Sequence, residues 1–200
     1  MKENITFLPE YNNHPINTDI NKKQGCYEKA LDKIESTFNS MLDQHSKVMV
    51  VRFDVRYPNN DNIQCNKNQV YDFTYNLKRS LNREKIGGGH KVDAKLMYVE
   101  EQDKSIHKHY HFNVIVNANA KNKSYPILQK AERLWKKSLG TEQDGLIDFC
   151  SSHENGIIID KNSDDFNSNY NKAFYQVSYL AKVRGKENRD KGSWLIKTSR

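Results

Sequence analysis

Apolar residues recur at spacings of three and four from Tyr27 through Leu31, Ile34, Phe38, Met41 and Leu42, which is the period of one helix face. The period then changes. Over residues 48–57, Val51, Phe53, Val55 and Tyr57 alternate with Arg52, Asp54 and Arg56, as in a strand with one apolar face. Pro58-Asn59-Asn60 ends that strand, and Val70, Phe73, Leu77 and Leu81 restore the helical period until Gly87-Gly88-Gly89. Residues 92–101 and 109–117 read as two strands whose connection is short enough for an antiparallel hairpin. A third helix begins near Pro126 and carries Ile127, Ala131, Leu134, Trp135 and Ser138 on one side. Short strands are expected within 145–150 and 156–160, and a fourth helix from about residue 170 to 184. The order α-β-α-β-β-α-β-β-α, with mostly adjacent strands, predicts an α+β fold. It would have a central antiparallel β-sheet flanked by helices, which are expected on one side of it.

The chain of 200 residues suits one domain. Residues 1–23, rich in Asn, Pro and charge with little periodicity, read as a flexible N-terminal arm, ordered only if it docks. Residues 24–184 form the domain, and 185–200 a basic C-terminal tail. The net charge of +7 favours a polyanionic partner. From Lys182 to Arg200, seven Lys/Arg face two acids, a local excess of +5, which also suits a merely solvated end. Cys26, Cys65 and Cys150 are odd in number and never in a C-x-x-C arrangement, which fits a reducing cytoplasm and no disulfide framework. Cys150 and His153 form a C-x-x-H pair, too few ligands for a zinc site. No signal-peptide core and no membrane-length apolar run is present, so no membrane partner is expected.

The richest chemistry lies at Ser105-Ile-His107-Lys-His109-Tyr-His111-Phe. Strand alternation points His107, His109 and His111 one way, and Tyr110, Phe112, Val114 and Val116 the other. Two imidazoles two residues apart on a rigid strand can share a cation. A nuclease metal, Mg²⁺ or Mn²⁺, also wants carboxylate oxygen. Glu100 and Glu101 both end the preceding strand, and pairing Glu101 with His109 leaves a seven-residue connection. Tyr175, Tyr179 and Lys182 supply a second constellation. On a continuous helix they fall within an arc of roughly 60°, opposite the stripe of Phe174, Val177, Leu180 and Ala181. A phenol is a poor nucleophile near neutral pH. A nearby cation that polarises a phosphate, and a lysine that neutralises charge or helps remove the proton, would correct that. Arg52 and Arg56 on one strand face, and Lys78, Arg79 and Arg83 on the second helix, are candidates for phosphate contacts, solvated surface being the simpler reading.

Histidine-hydrophobic-histidine ahead of an apolar run, followed by Tyr-x-x-x-Tyr-x-x-Lys, resembles the HUH endonuclease superfamily, in particular two-tyrosine rolling-circle replication initiators. Residues 51–58 (Val-Arg-Phe-Asp-Val-Arg-Tyr-Pro), Glu100-Glu101-Gln102 and the histidine strand are similar to filamentous-phage (inovirus) replication proteins and the prophage YagK/YfjJ family. The resemblance covers roughly residues 48–182 and implies an RRM/palm-like sheet. It also implies His109, His111 and Glu101 as metal ligands, Tyr179 and Tyr175 as nucleophiles, and Lys182 as their assistant. The implied activity nicks and rejoins single-stranded DNA at a replication origin, leaving a 5′-phosphotyrosine and a free 3′-OH for a host polymerase. With no room for a helicase domain, a host helicase would unwind the duplex. His107 has no place in the motif, and Gln176 stands where a hydrophobic residue is usual. A transposase or relaxase using the same chemistry, a non-cleaving DNA-binding regulator and a His₃ zinc hydrolase are the competing expectations.

Overall fold

A computed structural model describes residues 4–58, 66–84, 89–101, 108–150, 154–184 and 195–199. Four short strands come first: β1 (Ile5–Thr6), β2 (Glu10–Tyr11), β3 (His14–Pro15) and β4 (Cys26–Tyr27). Then follow α1 (Glu28–Gln44), β5 (Lys47–Arg56), α2 (Lys67–Asn82), β6 (Lys95–Glu101), β7 (His109–Asn117), α3 (Tyr125–Leu139), β8 (Ile147–Asp148), β9 (Ile157–Asp160) and α4 (Phe166–Ser178). A 3₁₀ turn (Tyr179–Ala181) and β10 (Lys197–Thr198) complete the described elements. From α1 to α4 the order is the one the periodicity predicts.

Local chemistry sets the helix ends. Asn66 accepts from the backbone N–H groups of Asn68 and Gln69, and Gln69 Oε1 accepts from Asn66 N–H, a capping box that starts α2. Pro126 opens α3, and Gly140 closes it at φ 66°, a left-handed conformation that favours glycine.

The main sheet is antiparallel in the order β10-β6-β7-β5-β8, with β9 pairing the other half of β5. Helices cover both of its faces, not one. The reason lies in β7, which is buried on both sides along nearly its whole length and carries apolar side chains on both over Val114, Ile115 and Val116. Its rear face (Tyr110, Phe112, Val114, Val116) packs with α2 and α3, and Ile115 on the front packs with α1 and α4. At the rear, the Phe112 ring stacks between Phe53 (5.2 Å) and Tyr98 (4.8 Å), with Phe73 edge-on at 5.3 Å. Trp135 of α3 joins them and donates its indole N–H to the Arg56 carbonyl at 2.8 Å. Such aromatic pairs contribute about 0.5–1.5 kcal/mol each beyond burial, so β5, β6 and β7 are held rigidly from behind.

The segment expected to be a flexible arm is docked over its described residues. Asn12 and Asn13, both at positive φ, close the β2–β3 hairpin, and β1 pairs with β4. Ile16 is buried, His14 reaches Asn171 of α4 at 2.7 Å, and Asn17 N–H donates to Ser178 Oγ at 2.8 Å. Gly25 is needed for close approach, because a Cβ there would lie 2.6 Å from Ile5 Cγ2 and 2.8 Å from the Thr6 carbonyl oxygen. Most of the basic tail lies outside the described residues; Leu195–Ser199 return along the sheet, where Lys197 and Thr198 pair with β6.

Candidate metal centre and tyrosine

The front face of the sheet changes character along its strands. Near one end it presents Val48, Val50, Met97, Val99 and Ile115 to α1 and α4. Toward the other end, the same faces of β5, β6 and β7 carry Arg52, Asp54, Glu101, His109, His111 and Asn113. Pairing places Glu101 opposite His109, and His111 between Val99 and Asp54. The register therefore decides between the two glutamates. Glu101 shares the histidine face and is buried. Glu100 projects to the other side, where it pairs with Lys108 and Lys197.

One ligand atom from each of Glu101, His109 and His111 lies within 4.8 Å of the others. Glu101 Oε2 stands 2.7 Å from His111 Nε2 and 3.9 Å from His109 Nε2. Two imidazole nitrogens and a carboxylate oxygen on adjacent rigid strands fit a divalent cation. Asp54 supplies the outer support. Its Oδ1 lies 2.8 Å from His111 Nδ1, a charge contact without the alignment of a hydrogen bond. A carboxylate behind a ligating histidine biases the tautomer so that Nε2 keeps its lone pair for the cation. Burial opposes charge on both groups, yet their mutual contact prevails. The Asp54 carboxyl is held below its ordinary range, helped by Arg52, and His111, flanked by Asp54 and Glu101, is pushed up. His109 moves the other way, lowered by burial and by His111 beside it.

Above this cluster stands Tyr179. Its ring meets His111 nearly edge-on at 4.9 Å. The Arg52 guanidinium lies 4.5 Å from the ring centroid and Lys182 Nζ 4.9 Å from it, so two cations flank the phenol ring. Burial and the Glu101 charge raise the Tyr179 pKa, and burial lowers that of Lys182. The continuous helix to about residue 184 does not form. α4 ends at Ser178, the chain tightens into a 3₁₀ turn, and Lys182 is extended (φ −56°, ψ 141°). The docked N-terminal segment explains the break: Lys182 bridges to Cys26, and Val183 N–H donates to the Gly25 carbonyl, as in a strand. Lys182 thus reaches Tyr179 through tertiary pairing, not helical spacing. Tyr175 stays on α4, exposed, and its ring meets no member of the cluster among the described residues.

Residues 11–193 match the model of the YagK/YfjJ C-terminal domain. The chain belongs to that family. It is also 24% identical over 191 residues to the uncharacterized protein YagK of Escherichia coli (strain K12), covering 82% of this chain and 90% of YagK. No solved structure matches the chain.

In this YagK/YfjJ domain the remaining sequence candidates separate. Arg52 belongs to the cluster, with its side chain largely buried and its backbone N–H and C=O both bonded by the Asn155 side chain. Arg56 lies opposite His109 and pairs with Asp148 at 3.8 Å. Lys78, Arg79 and Arg83 belong to α2 or its C-cap, in the layer behind the sheet. His107 and His153 lie outside the described residues. Asp54 and Asn113 have no part in the sequence constellation. The available signal for Asp54 is an acid between two arginines on a half-buried strand, facing the same way as the histidines do on theirs. Gln176, the departure from the motif, is buried and donates to the Glu154 carbonyl at 3.0 Å, tying α4 to the segment after β8. No helix among the described residues is long and apolar enough to cross a membrane.

Proposed function

We propose that this domain nicks and rejoins single-stranded DNA through Tyr179, as a rolling-circle replication initiator of the HUH type would. The observation that carries this reading is the Tyr179 ring against His111 of the Glu101–His109–His111 group, flanked by Arg52 and Lys182. A Mg²⁺ or Mn²⁺ ion held by His109, His111 and Glu101 would polarise the scissile phosphate and offset charge building on its oxygens.

The chain's own residues supply the rest. Tyr179 is the nucleophile: its phenolic oxygen bonds to phosphorus, the bond from phosphorus to the 3′ oxygen breaks, and that oxygen leaves as a 3′-OH after taking a proton. The product is a 5′-phosphotyrosine that stores the bond for rejoining. Burial opposes ionisation of Tyr179, so the proton needs an acceptor. Lys182, whose Nζ lies 4.9 Å from the ring centroid and whose ammonium is disfavoured by burial, would receive it. The Arg52 guanidinium neutralises a phosphate oxygen near the ring. Tyr175, exposed one turn earlier, is the candidate for a second transfer once the first DNA end is held.

Incubation with Mn²⁺ and single-stranded DNA from the protein's own replicon tests this directly. A covalent protein–DNA adduct is expected that EDTA prevents, that Tyr179→Phe abolishes or sharply reduces, and that Tyr175→Phe affects less. Unchanged cleavage by the double Phe variant overturns the tyrosine mechanism. Tight, salt-sensitive binding of the cognate strand with no adduct would favour a non-cleaving regulator.

A further inference from the structure

We infer that α2 and the β6–β10 edge form a second track for single-stranded DNA, on which bases stack against Tyr71 and Tyr75. Tyr71 and Tyr75 are 49% and 63% exposed and stand on the same helix, whereas Tyr57, Tyr98 and Tyr110 of the core beneath them are buried. They stand four residues apart on one helix, about 6 Å along its axis, a separation close to the step between bases in an extended, unstacked strand. Arg79 continues the same stripe, its guanidinium 5.9 Å from the Tyr75 ring centroid. On the other side, Lys197 Nζ lies 5.7 Å from the Tyr71 ring. Aromatic faces flanked by cations are what a sequence-tolerant single-strand surface needs, because every base has a π-face and every step carries a phosphate.

The charge arrangement points the same way. Among the described residues, the Glu100 carboxylate is shared by two ammonium groups, those of Lys108 and Lys197. The track adjoins the candidate centre along β6 and β7, on the opposite side of the sheet from it. Glu100 is adjacent to the ligand Glu101 on β6, and Lys108 precedes the ligand His109. A strand held at Tyr179 on the front of the sheet can therefore pass Lys108 and Lys197, round the β10 edge, and reach Tyr71 and Tyr75 behind. The inference rests on the DNA-nicking reading for the identity of its partner.

The test measures binding without metal, so that it reads the surface apart from the chemistry. With the full chain in EDTA, fluorescence anisotropy of fluorescein-labelled oligo(dT) should show affinity falling at least about tenfold in Tyr71→Ala/Tyr75→Ala. Tyr71→Phe/Tyr75→Phe, which keeps the stacking faces, should bind within about twofold of the parent, and Arg79→Ala should shallow the salt dependence. Circular dichroism confirms that the helix persists in each variant. Parental affinity in the Ala pair overturns the track, and so does equal loss in the Phe pair. Competition by poly-glutamate as effective as by unlabelled oligo(dT) would also overturn it, since it would mark a merely acidic partner. Absence of a Tyr179 adduct in manganese, with this binding pattern intact, counts against nicking alone.

Discussion

The two faces of β7 carry opposite kinds of chemistry on one backbone. Behind it, Tyr110, Phe112, Val114 and Val116 enter a closed aromatic and aliphatic core in which the Trp135 N–H is satisfied. In front, His109, His111 and Asn113 meet Arg52, Asp54 and Glu101, and satisfaction fails. Asn113 is fully buried, yet neither its Oδ1 nor its Nδ2 has a partner among the described residues, and the same holds for Arg52 Nε and Gln176 Oε1. An unpartnered buried polar group costs about 1–3 kcal/mol. A face needed only for packing would carry Leu or Val there. The difference teaches that the rear face supplies the rigidity with which the front face tolerates buried polar groups left without partners among the described residues.

The largest expected effect breaks the supporting side. Phe112→Ala removes the ring between Phe53 and Tyr98 and should destabilise the fold by about 3–5 kcal/mol, read as a lower denaturant midpoint at unchanged slope. If stability holds, the rear core does not support the site. Next comes the front face. Asp54→Asn keeps volume but removes the charge behind His111, so affinity for Mn²⁺ by calorimetry should fall about 10- to 100-fold while the fold persists. Unchanged affinity would mean that Asp54 does not orient the ligand.

The smallest effect tests a polar link that belongs to the rear layer. Glu84, just past α2, pairs with Lys121 and with Lys130 of α3, the latter at 2.7 Å. Burial would raise its carboxyl pKa, but the two lysines prevail and hold it low. A depressed folded-state value stabilises above the unfolded carboxylate pKa and is lost as pH falls through the folded one. Glu84→Gln should therefore be less stable than the parent near neutral pH, with the two melting temperatures converging in acid. A gap independent of pH would assign the loss to packing instead.

Much of this was legible from residue order. Periodicity distinguishes helix from strand from α1 to α4, because burial of a single face imposes a period of 3.6 or 2 whatever the partner. Alternation alone puts His109 and His111 on one side and Phe112 on the other. The choice of Glu101 over Glu100 needed the β6–β7 register, in which a shift of one residue exchanges the two. Asp54 was invisible as a partner of His111, since the two are 57 positions apart and meet only across paired strands. The break after Ser178 was hidden too. Local propensity allows the helix to continue, and the competing hydrogen bonds come from Gly25 and Cys26 at the far end of the sequence.

The sequence by itself determined the element types, the shared face of the histidines, the kinship with YagK/YfjJ domains and the residue types of the candidate chemistry. Tertiary structure alone decided which glutamate joins them, that Asp54 backs His111, and that Tyr179 rather than Tyr175 stands over the cluster between Arg52 and Lys182. The physical reason is range. Period and alternation are properties of neighbours along the chain, whereas register, support and the flanking cations arise from segments brought together only when the sheet closes and the N-terminal segment docks.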